Sequence, residues 1–250
     1  MKSRLRRLLH AALTFALRLR SRRYTPPPAS RCLVIAPHPD DEALGCAGLI
    51  LAHRTAGLPV NILYITDGAG SHPQHPLLSP TDIAQLRRSE ATRALQRLHV
   101  EAASLQFLDA PDGTLAHLTA DDAETFALRL AGQLAALQPT ELLLPCRDDG
   151  SSEHIAAFRL TLRALRLADL KPRLLEYPVW ARWSPQRLLR PWLLSRRVWR
   201  ISFPETVTVK RAALASYVSQ IEPMPPWPEP VLPAGFIRFF ESSEEFFFER

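Results

Sequence analysis

Glycine, cysteine and long apolar runs are scarce in this sequence. It holds 9 glycines against 23 prolines, so stiff turns outnumber flexible glycine linkers. No apolar run approaches the ~18–20 residues of a membrane-spanning helix, which excludes a polytopic membrane protein. The 3 cysteines are widely spaced and form no C-x-x-C pair, which argues against a disulfide framework and a four-cysteine zinc site. The rest of the composition, 46% hydrophobic and 22% charged over 250 residues, is typical of a globular α/β protein.

A basic excess is also missing from most of the chain, although the formal net charge is +6. Eight of the 31 Lys and Arg residues lie in residues 1–24, which contain no Asp or Glu. Residues 25–250 carry 23 basic and 25 acidic side chains, a formal charge of −2. This balance argues against a polycationic groove for DNA or RNA, so nucleic acid is not an expected partner.

Residues 1–24 place an apolar stretch, residues 8–17, between two arginine clusters. A secretory signal would end in a small-residue cleavage site, whereas this segment continues into Arg18, Arg20, Arg22 and Arg23. An amphipathic helix at an anionic membrane surface fits better, with a solvated or bundle-docked helix as the alternative. We therefore expect a basic N-terminal helix over 1–24 and one domain over 25–250. The expected location is cytoplasmic and peripheral, at the inner face of the membrane.

Short apolar runs alternate with helical patterns after residue 31. The predicted strands are Cys32–Ala36, Val60–Thr66, Ser104–Leu108, Glu141–Pro145 and Leu174–Trp180. The predicted helices cover about 42–55, 81–98, 121–137, 153–169 and 206–221. Ser79, Pro80 and Asp82 form a helix-start signal with a capping box. This alternation predicts an α/β fold, a doubly wound and mostly parallel Rossmann-like sheet with helices on both faces.

Three segments after residue 180 give weaker signals. Residues 181–203 are rich in Arg and Trp and match neither period, which indicates a substrate-facing insertion or a packed loop. The proline-rich residues 223–233 predict an irregular extended segment. Residues 236–250 contain six phenylalanines and are expected to pack back on the domain. Four tryptophans are candidates for a sugar-stacking or lipid-facing surface, with burial as the alternative: Trp180, Trp183, Trp192 and Trp199.

The densest chemistry follows the first predicted strand, in the segment APHPDDE at 36–42. Ligands bind outside the carboxyl ends of the strands in open α/β sheets, and this loop lies there. His38 with Asp40 and Asp41 offers an imidazole nitrogen and carboxylate oxygens, a donor set suited to a Zn²⁺-like ion. Adjacent carboxylates on a tight turn do not point the same way, so one can bind metal while the other handles protons. The alternative is that both aspartates merely cap the following helix.

A catalytic zinc site needs a further protein ligand from elsewhere in the chain. His154 is the strongest candidate, because it also follows a predicted strand and opens a helix. The loop that contains His72 and His75 remains the alternative.

The order of several motifs resembles the PIG-L/LmbE-like zinc-dependent N-acetylglucosaminyl deacetylases over roughly residues 31–220. The motifs are APHPDDE at 36–42, TDG at 66–68, Arg87-x-x-Glu90, DAPDGTL at 109–115, DDGSSEH at 148–154 and KRAALASYVSQ at 210–220. The resemblance implies that His38, Asp41 and His154 bind zinc, or another divalent ion such as Fe²⁺, and that Asp40 is the general base. It also implies that Arg87 and Asp112 contact the sugar.

The chain departs from the family pattern at the residues that stabilise the oxyanion or protonate the leaving amine. Where relatives have H-P-D-H, this chain has Ser151-Ser152-Glu153-His154, so the histidine upstream of the metal ligand is lost. Ser151 or Arg147 is the candidate replacement donor, and losing one oxyanion donor can cost about 10²–10³ in rate. Tyr217 likewise stands where the family commonly has a C-terminal histidine.

The resemblance implies hydrolysis of an N-acetyl-hexosamine amide, with acetate and a free amine as products. The basic N-terminal helix favours a membrane-held amino-sugar glycoconjugate as substrate, either a glycolipid or a lipopolysaccharide-core intermediate. The alternative, motivated by the lost histidine, is a catalytically impaired family member that binds a glycan or a membrane partner.

Overall fold

The computed structural model describes residues 2–188 and 195–249. Its strands are β1 (Arg22–Arg23), β2 (Cys32–Ala36), β3 (Val60–Thr66), β4 (Leu105–Ala110), β5 (Glu141–Pro145), β6 (Arg173–Tyr177), β7 (Arg197–Ser202) and β8 (Glu244–Glu249). They form one sheet in the order β1-β7-β8-β6-β5-β2-β3-β4. Only β8 runs antiparallel to its neighbours among these strands. The predicted mostly parallel sheet is confirmed.

Helices cover both faces of this sheet. They are α1 (Lys2–Arg20), α2 (Asp41–Thr55), α3 (Pro80–Arg97), α4 (Ala120–Leu137), α5 (Ser152–Leu167), α6 (Trp180–Trp183), α7 (Val207–Leu214) and α8 (Val218–Ile221). Helices α2, α3 and α7 pack on one face, and α4 and α5 pack on the other. β2 is buried on both sides, since Val34 belongs to one core while Leu33 and Ile35 belong to the other. This two-sided burial explains its uninterrupted apolar sequence.

The predicted start of α3 is confirmed in detail. Ser79 Oγ accepts the backbone N–H of Asp82 at 3.2 Å, and Asp82 Oδ2 accepts that of Ser79 at 2.9 Å. Pro80 occupies the first helical turn, where its missing N–H costs nothing.

Strand boundaries agree with the prediction at β2, β3 and β5 and differ at two other strands. β4 starts one residue later than predicted and continues to Ala110. β6 ends at Tyr177, so the predicted extension of this strand to Trp180 was wrong. The carboxylate of Asp149 accepts the backbone N–H groups of Val179, Trp180 and Ala181 at 2.8–3.0 Å, which turns the chain out of the sheet and into α6.

The predicted helix over 206–221 is two helices, α7 and α8. Tyr217 separates them with the non-helical angles φ −88° and ψ 56°, and its hydroxyl donates a hydrogen bond to the buried carboxylate of Glu42. The interruption thus serves a contact with α2 that helical periodicity does not reveal.

Two of the three weakly predicted segments, 181–203 and 236–250, contribute strands. The region 181–203 contains β7, and residues 189–194 lie outside the described chain together with Trp192. Residues 236–250 do pack on the domain, where β8 inserts between β6 and β7. Arg200 on β7 pairs with Glu244 on β8 at 2.9 Å, which explains why charged residues occupy these strands.

Helix α1 rests on the domain through one side. Leu17 is buried and packs in a small apolar cluster with Leu13, and Arg18 Nε lies 2.6 Å from Glu244 Oε2. The helix leads into β1, which pairs with β7. In the portion of the chain that is described, no helix is long and apolar enough to cross a membrane.

The order of the strands reverses beside β2. The chain runs from β2 outward to β3 and β4, then returns to place β5 on the other side of β2, with Cys32 opposite Glu141. The loops that leave β2 and β5 therefore diverge from a common point at the carboxyl edge of the sheet. Such a switch point is where open α/β sheets bind their ligands.

Candidate active site

The loop after β2 turns tightly into α2. Asp41 Oδ2 accepts the backbone N–H of His38 at 2.9 Å and lies 3.2 Å from His38 Nδ1. Asp40 precedes the helix with φ 143°, a region that non-glycine residues rarely adopt. Within the described chain its side chain makes no capping hydrogen bond. Helix capping therefore does not account for Asp40.

The loop after β5 brings His154 to the same place. Ser151 Oγ accepts the backbone N–H of His154 at 3.4 Å and caps α5, which fixes this histidine in the first turn. The ring is fully buried, and its Nε2 lies 3.2 Å from Asp41 Oδ2. Despite this distance, Nε2 forms no hydrogen bond of standard geometry with any group in residues 2–188 and 195–249.

His38, Asp41 and His154 fit a divalent cation. One ligand atom from each residue lies within 4.8 Å of the others. Two imidazole nitrogens and one carboxylate oxygen form a donor set typical of zinc and other borderline metals. An unpartnered buried imidazole nitrogen facing a carboxylate is costly unless a third group lies between them.

Carboxylates outside this triad orient both histidines. His154 Nδ1 donates to Asp149 Oδ2 at 2.7 Å, and the three backbone N–H groups described above hold Asp149. His38 Nε2 lies 3.2 Å from Asp112 Oδ1. Asp67 of the TDG motif supports this arrangement, because its Oδ1 accepts the backbone N–H of Asp112 at 3.2 Å. A second carboxylate behind a ligating histidine fixes the ring and its tautomer.

Arg87 joins Asp40 to the R-x-x-E motif on α3. Its Nη2 lies 3.2 Å from Asp40 Oδ2 and also donates to the carbonyl of Pro39. Glu90 lies 3.6 Å from the guanidinium and accepts hydrogen bonds from Ser219 at 2.7–2.8 Å. The spacing of three residues on a helix thus puts one arginine and its counter-ion behind the Asp40 carboxylate.

Burial and local charge separate the pKa values of the neighbouring carboxyl groups. Burial raises the pKa of Asp40 to about 6, with Arg87 opposing the shift and Asp41 adding to it. Burial also raises the pKa of Glu42 to about 8. For Asp41, burial acts to raise the pKa, but the adjacent His154 and His38 hold it below its usual range. Asp41 is thus suited to remain ionised as a ligand, and Asp40 to exchange a proton near neutral pH.

A cavity of about 470 Å³ opens above these groups. Six of the eight predicted site residues line it: His38, Asp40, Asp41, Arg87, Asp112 and Ser151. His154 lies beneath the wall, with no exposed surface.

Arg147 and the His72/His75 loop lie apart from the cluster. Arg147 Nη2 pairs with Glu176 at 3.0 Å, and Arg147 is not among the described residues that line the cavity. His72 packs against Trp227, with ring centroids 5.9 Å apart. Neither histidine of that loop belongs to a possible metal-binding group in the described residues.

Sequence reasoning missed several residues around the cavity. Asp149 has a weak signal, since it lies in the DDGSSEH motif beside the residues already selected. Gln220 has a similar signal, since it ends the KRAALASYVSQ motif, and it lines the cavity together with Leu232 and Phe236. The segment that contains Leu232 and Phe236 carries no periodic pattern, and only the tertiary fold brings it to the site. Of the four tryptophans, Trp180 lines the cavity, whereas Trp199 packs near Tyr24 and Arg173.

Fold and site together define an α/β protein with a candidate metal centre at the switch point of its sheet. The family model described as PIG-L: GlcNAc-PI de-N-acetylase matches residues 33–165, more than half of the chain. The chain therefore belongs to the PIG-L family, as its motifs predicted.

A curated relative from Kineococcus radiotolerans is 28% identical over 165 aligned residues, and the match covers 55% of this chain and 45% of the relative. It is named 1D-myo-inositol 2-acetamido-2-deoxy-alpha-D-glucopyranoside deacetylase. The match thus spans less than half of that relative's length.

Solved structures support the fold. The A40926 pseudoaglycone deacetylase Dbv21 superposes with a TM-score of 0.63 at 21% identity, over 88% of this chain and 97% of that chain. GalB from Pseudomonas putida KT2440, a 4-carboxy-2-hydroxymuconate hydratase, superposes with a TM-score of 0.61 at 18% identity. The match covers 76% of this chain and 79% of GalB. Since the same fold carries a deacetylase and a hydratase, the activity must be argued from the site.

Proposed function

We propose that this protein is a metal-dependent N-deacetylase that hydrolyses the acetamide of an N-acetyl-hexosamine to acetate and a free amine. One observation carries the proposal. His38, Asp41 and His154 converge on a shared position, and the carboxylate of Asp40 lies beside them in a cavity of suitable size for a small ligand.

His38, Asp41 and His154 would hold a zinc ion or another divalent ion such as Fe²⁺. When bound, such an ion supplies a Lewis acid that polarises the acetyl carbonyl. The protein's own residues do the rest. Arg87 fixes one oxygen of Asp40, and Asp40 accepts a proton from the attacking water and returns it to the nitrogen of the departing amine. Asp149 and Asp112 keep the two histidines in ligating orientation.

Ser151 is the better of the two candidate donors for stabilising the oxyanion. Its Oγ accepts the N–H of His154, so its own hydrogen is available to donate into the cavity that it lines. Arg147 is paired with Glu176 instead. A neutral hydroxyl stabilises developing negative charge less than an imidazolium does, so we expect slow turnover.

We further propose that the substrate is a membrane-held glycoconjugate, either a glycolipid or a lipopolysaccharide-core intermediate, and that α1 binds the inner face of an anionic membrane. The docked helix leaves Leu8, Phe15 and Leu19 exposed by 69%, 61% and 75%. These residues share one stripe of the helix, because their spacings are 7 and 4 residues. Arginines on the same helix would meet anionic lipid.

The activity test is acetate release from N-acetyl-hexosamine glycosides by the zinc- or iron-loaded protein. The proposal predicts stoichiometric acetate and amine. Metal-loaded protein that binds such a glycoside without releasing acetate would favour the non-catalytic alternative instead.

The membrane test is sedimentation with vesicles that contain anionic lipid. A Leu8→Asp, Phe15→Asp, Leu19→Asp variant should lose binding, because it replaces the exposed apolar stripe without touching the buried Leu17. Leu128→Asp, at a residue 55% exposed on α4, is the matched control and should bind normally. Equal sedimentation of both variants would reject the role of α1.

A further inference from the structure

The wall of the cavity has two chemically different parts. The part around the candidate metal centre is polar and contains the carboxylates and Arg87. The other part is apolar and comes from three separate segments of the chain. It consists of Leu44 on α2, Val179 and Trp180 after β6, Val231 and Leu232 in the proline-rich segment, and Phe236 just after it.

The apolar part is firmly held. Phe236 is fully buried, and its ring centroid lies 5.0 Å from that of Trp180 and 5.4 Å from that of Trp183. The backbone N–H of Leu232 donates to the carbonyl of Gln220 at 2.9 Å, which ties the proline-rich segment to α8. A wall fixed in this way is available to a ligand without further ordering of the chain.

Part of this wall faces solvent. Val231 is 39% exposed, and Trp180 is half-buried. Apolar surface in a cavity is stabilised when apolar ligand atoms cover it. A polyol such as the inositol in the name of the Kineococcus relative would place hydroxyl groups against side chains that cannot bind them, and unpaired buried hydroxyls are costly.

The geometry points to a binding subsite for an alkyl or acyl chain, formed by Trp180, Val231 and Leu232, beside the sugar position. This inference rests on the proposed deacetylase function and specifies the group attached to the sugar. The wall continues toward α1, since Trp183 packs against Phe236 and the guanidinium of Arg6 lies 3.9 Å above the ring of Trp183.

The test compares two N-acetylglucosaminides, the methyl and the octyl glycoside, below the critical micelle concentration of the latter. The metal-loaded protein should release acetate from the octyl glycoside with a kcat/KM about tenfold or more above that for the methyl glycoside. Val231→Asp should bring this ratio near one, because a carboxylate replaces apolar surface in the subsite. Val218→Asp, at a valine 46% exposed outside the cavity wall, is the matched control and should keep the ratio.

Each outcome is decisive. Equal kcat/KM values for the two glycosides in the unaltered protein would overturn the subsite and leave the deacetylase function standing. A high ratio that survives both Val231→Asp and the milder Val231→Ser would place the alkyl chain elsewhere in the protein. That result would also overturn the proposed subsite. If neither glycoside releases acetate, the deacetylase function fails, and calorimetry with octyl and methyl glucosaminide decides the subsite. Tighter binding of the octyl compound that Val231→Asp abolishes supports the subsite, and equal binding overturns it.

Discussion

Two buried histidine–carboxylate clusters lie at opposite edges of the same sheet. The carboxyl-edge cluster consists of His38, Asp41, Asp149 and His154 and was described above as the candidate active site. The amino-edge cluster consists of Tyr24, His53, Glu141 and Arg173. Strand β5 connects them, since Glu141 begins this strand and the loop with Asp149 follows its end.

The amino-edge cluster satisfies its own polar groups. Glu141 accepts the hydroxyl of Tyr24 at 2.5 Å and pairs with Arg173 at 3.1 Å. His53 Nε2 forms hydrogen bonds with Tyr24 Oη and Ser30 Oγ, each at 3.4 Å. His53 Nδ1 is 3.0 Å from the carbonyl of Leu49. Both ring nitrogens thus have partners within the protein, which is the pattern of a structural cluster.

The carboxyl-edge cluster differs in one atom. His154 Nδ1 is paired with Asp149, but Nε2 faces Asp41 without a hydrogen bond to any described residue. Both clusters set a fully buried histidine against a buried carboxylate. What separates a site from a structural network is therefore the unsatisfied nitrogen and the cavity above it, not the presence of a buried histidine and carboxylate.

Replacing one histidine in each cluster should give the largest difference between the two clusters. His154→Ala should reduce bound zinc, measured by elemental analysis, to background and abolish acetate release, because one of three ligands is removed. His53→Ala should keep the metal and lower the free energy of unfolding by about 1–3 kcal/mol in denaturant titrations, because Tyr24 and Ser30 lose a hydrogen-bond partner. Full metal occupancy in His154→Ala, or its loss in His53→Ala, would contradict the distinction.

Asp40→Asn gives the next largest expected effect. Acetate release should fall by about 10²–10⁴, because the amide cannot accept the proton, while the metal content stays unchanged. Asp109→Asn is the matched control, since Asp109 also pairs with an arginine, at 2.6 Å from Arg88, but on the surface. An Asp40→Asn protein with full activity would exclude Asp40 as the base.

Asp149→Asn should have the smallest effect of the three. It keeps the shape of the side chain but weakens the charge-assisted bond to His154, so metal affinity should fall about 10–100-fold in competition with a chelator. Asp121→Asn, on the outer surface of α4, should leave the affinity unchanged. An unaltered affinity in Asp149→Asn would mean that the carboxylate serves only to hold the turn into α6.

The meeting of the candidate metal ligands was predictable from a general rule, whereas the choice of Asp41 over Asp40 and of His154 over the His72/His75 loop came from the family resemblance. His38 and Asp41 directly follow a buried strand, and His154 follows another, so a parallel sheet places all three at one edge. The capping box of α3 was predictable for the same kind of reason, since it depends only on residues 79–82.

Residues whose roles depend on distant partners were not predictable. The break at Tyr217 serves Glu42, the position of β8 depends on pairing with both β6 and β7, and the end of β6 depends on Asp149. Arg147 looked like a site residue until Glu176, on the neighbouring strand, proved to hold it.

The amino-acid sequence alone determined the class of fold, the family and the donor atoms of the candidate centre, because strand alternation and loop motifs are local and their meeting point follows from sheet topology. The tertiary structure alone decided which histidine nitrogen stays unpartnered, which aspartates orient the ligands and which apolar side chains complete the cavity. Those features arise from packing between segments far apart in the chain, and local sequence patterns carry no record of such contacts.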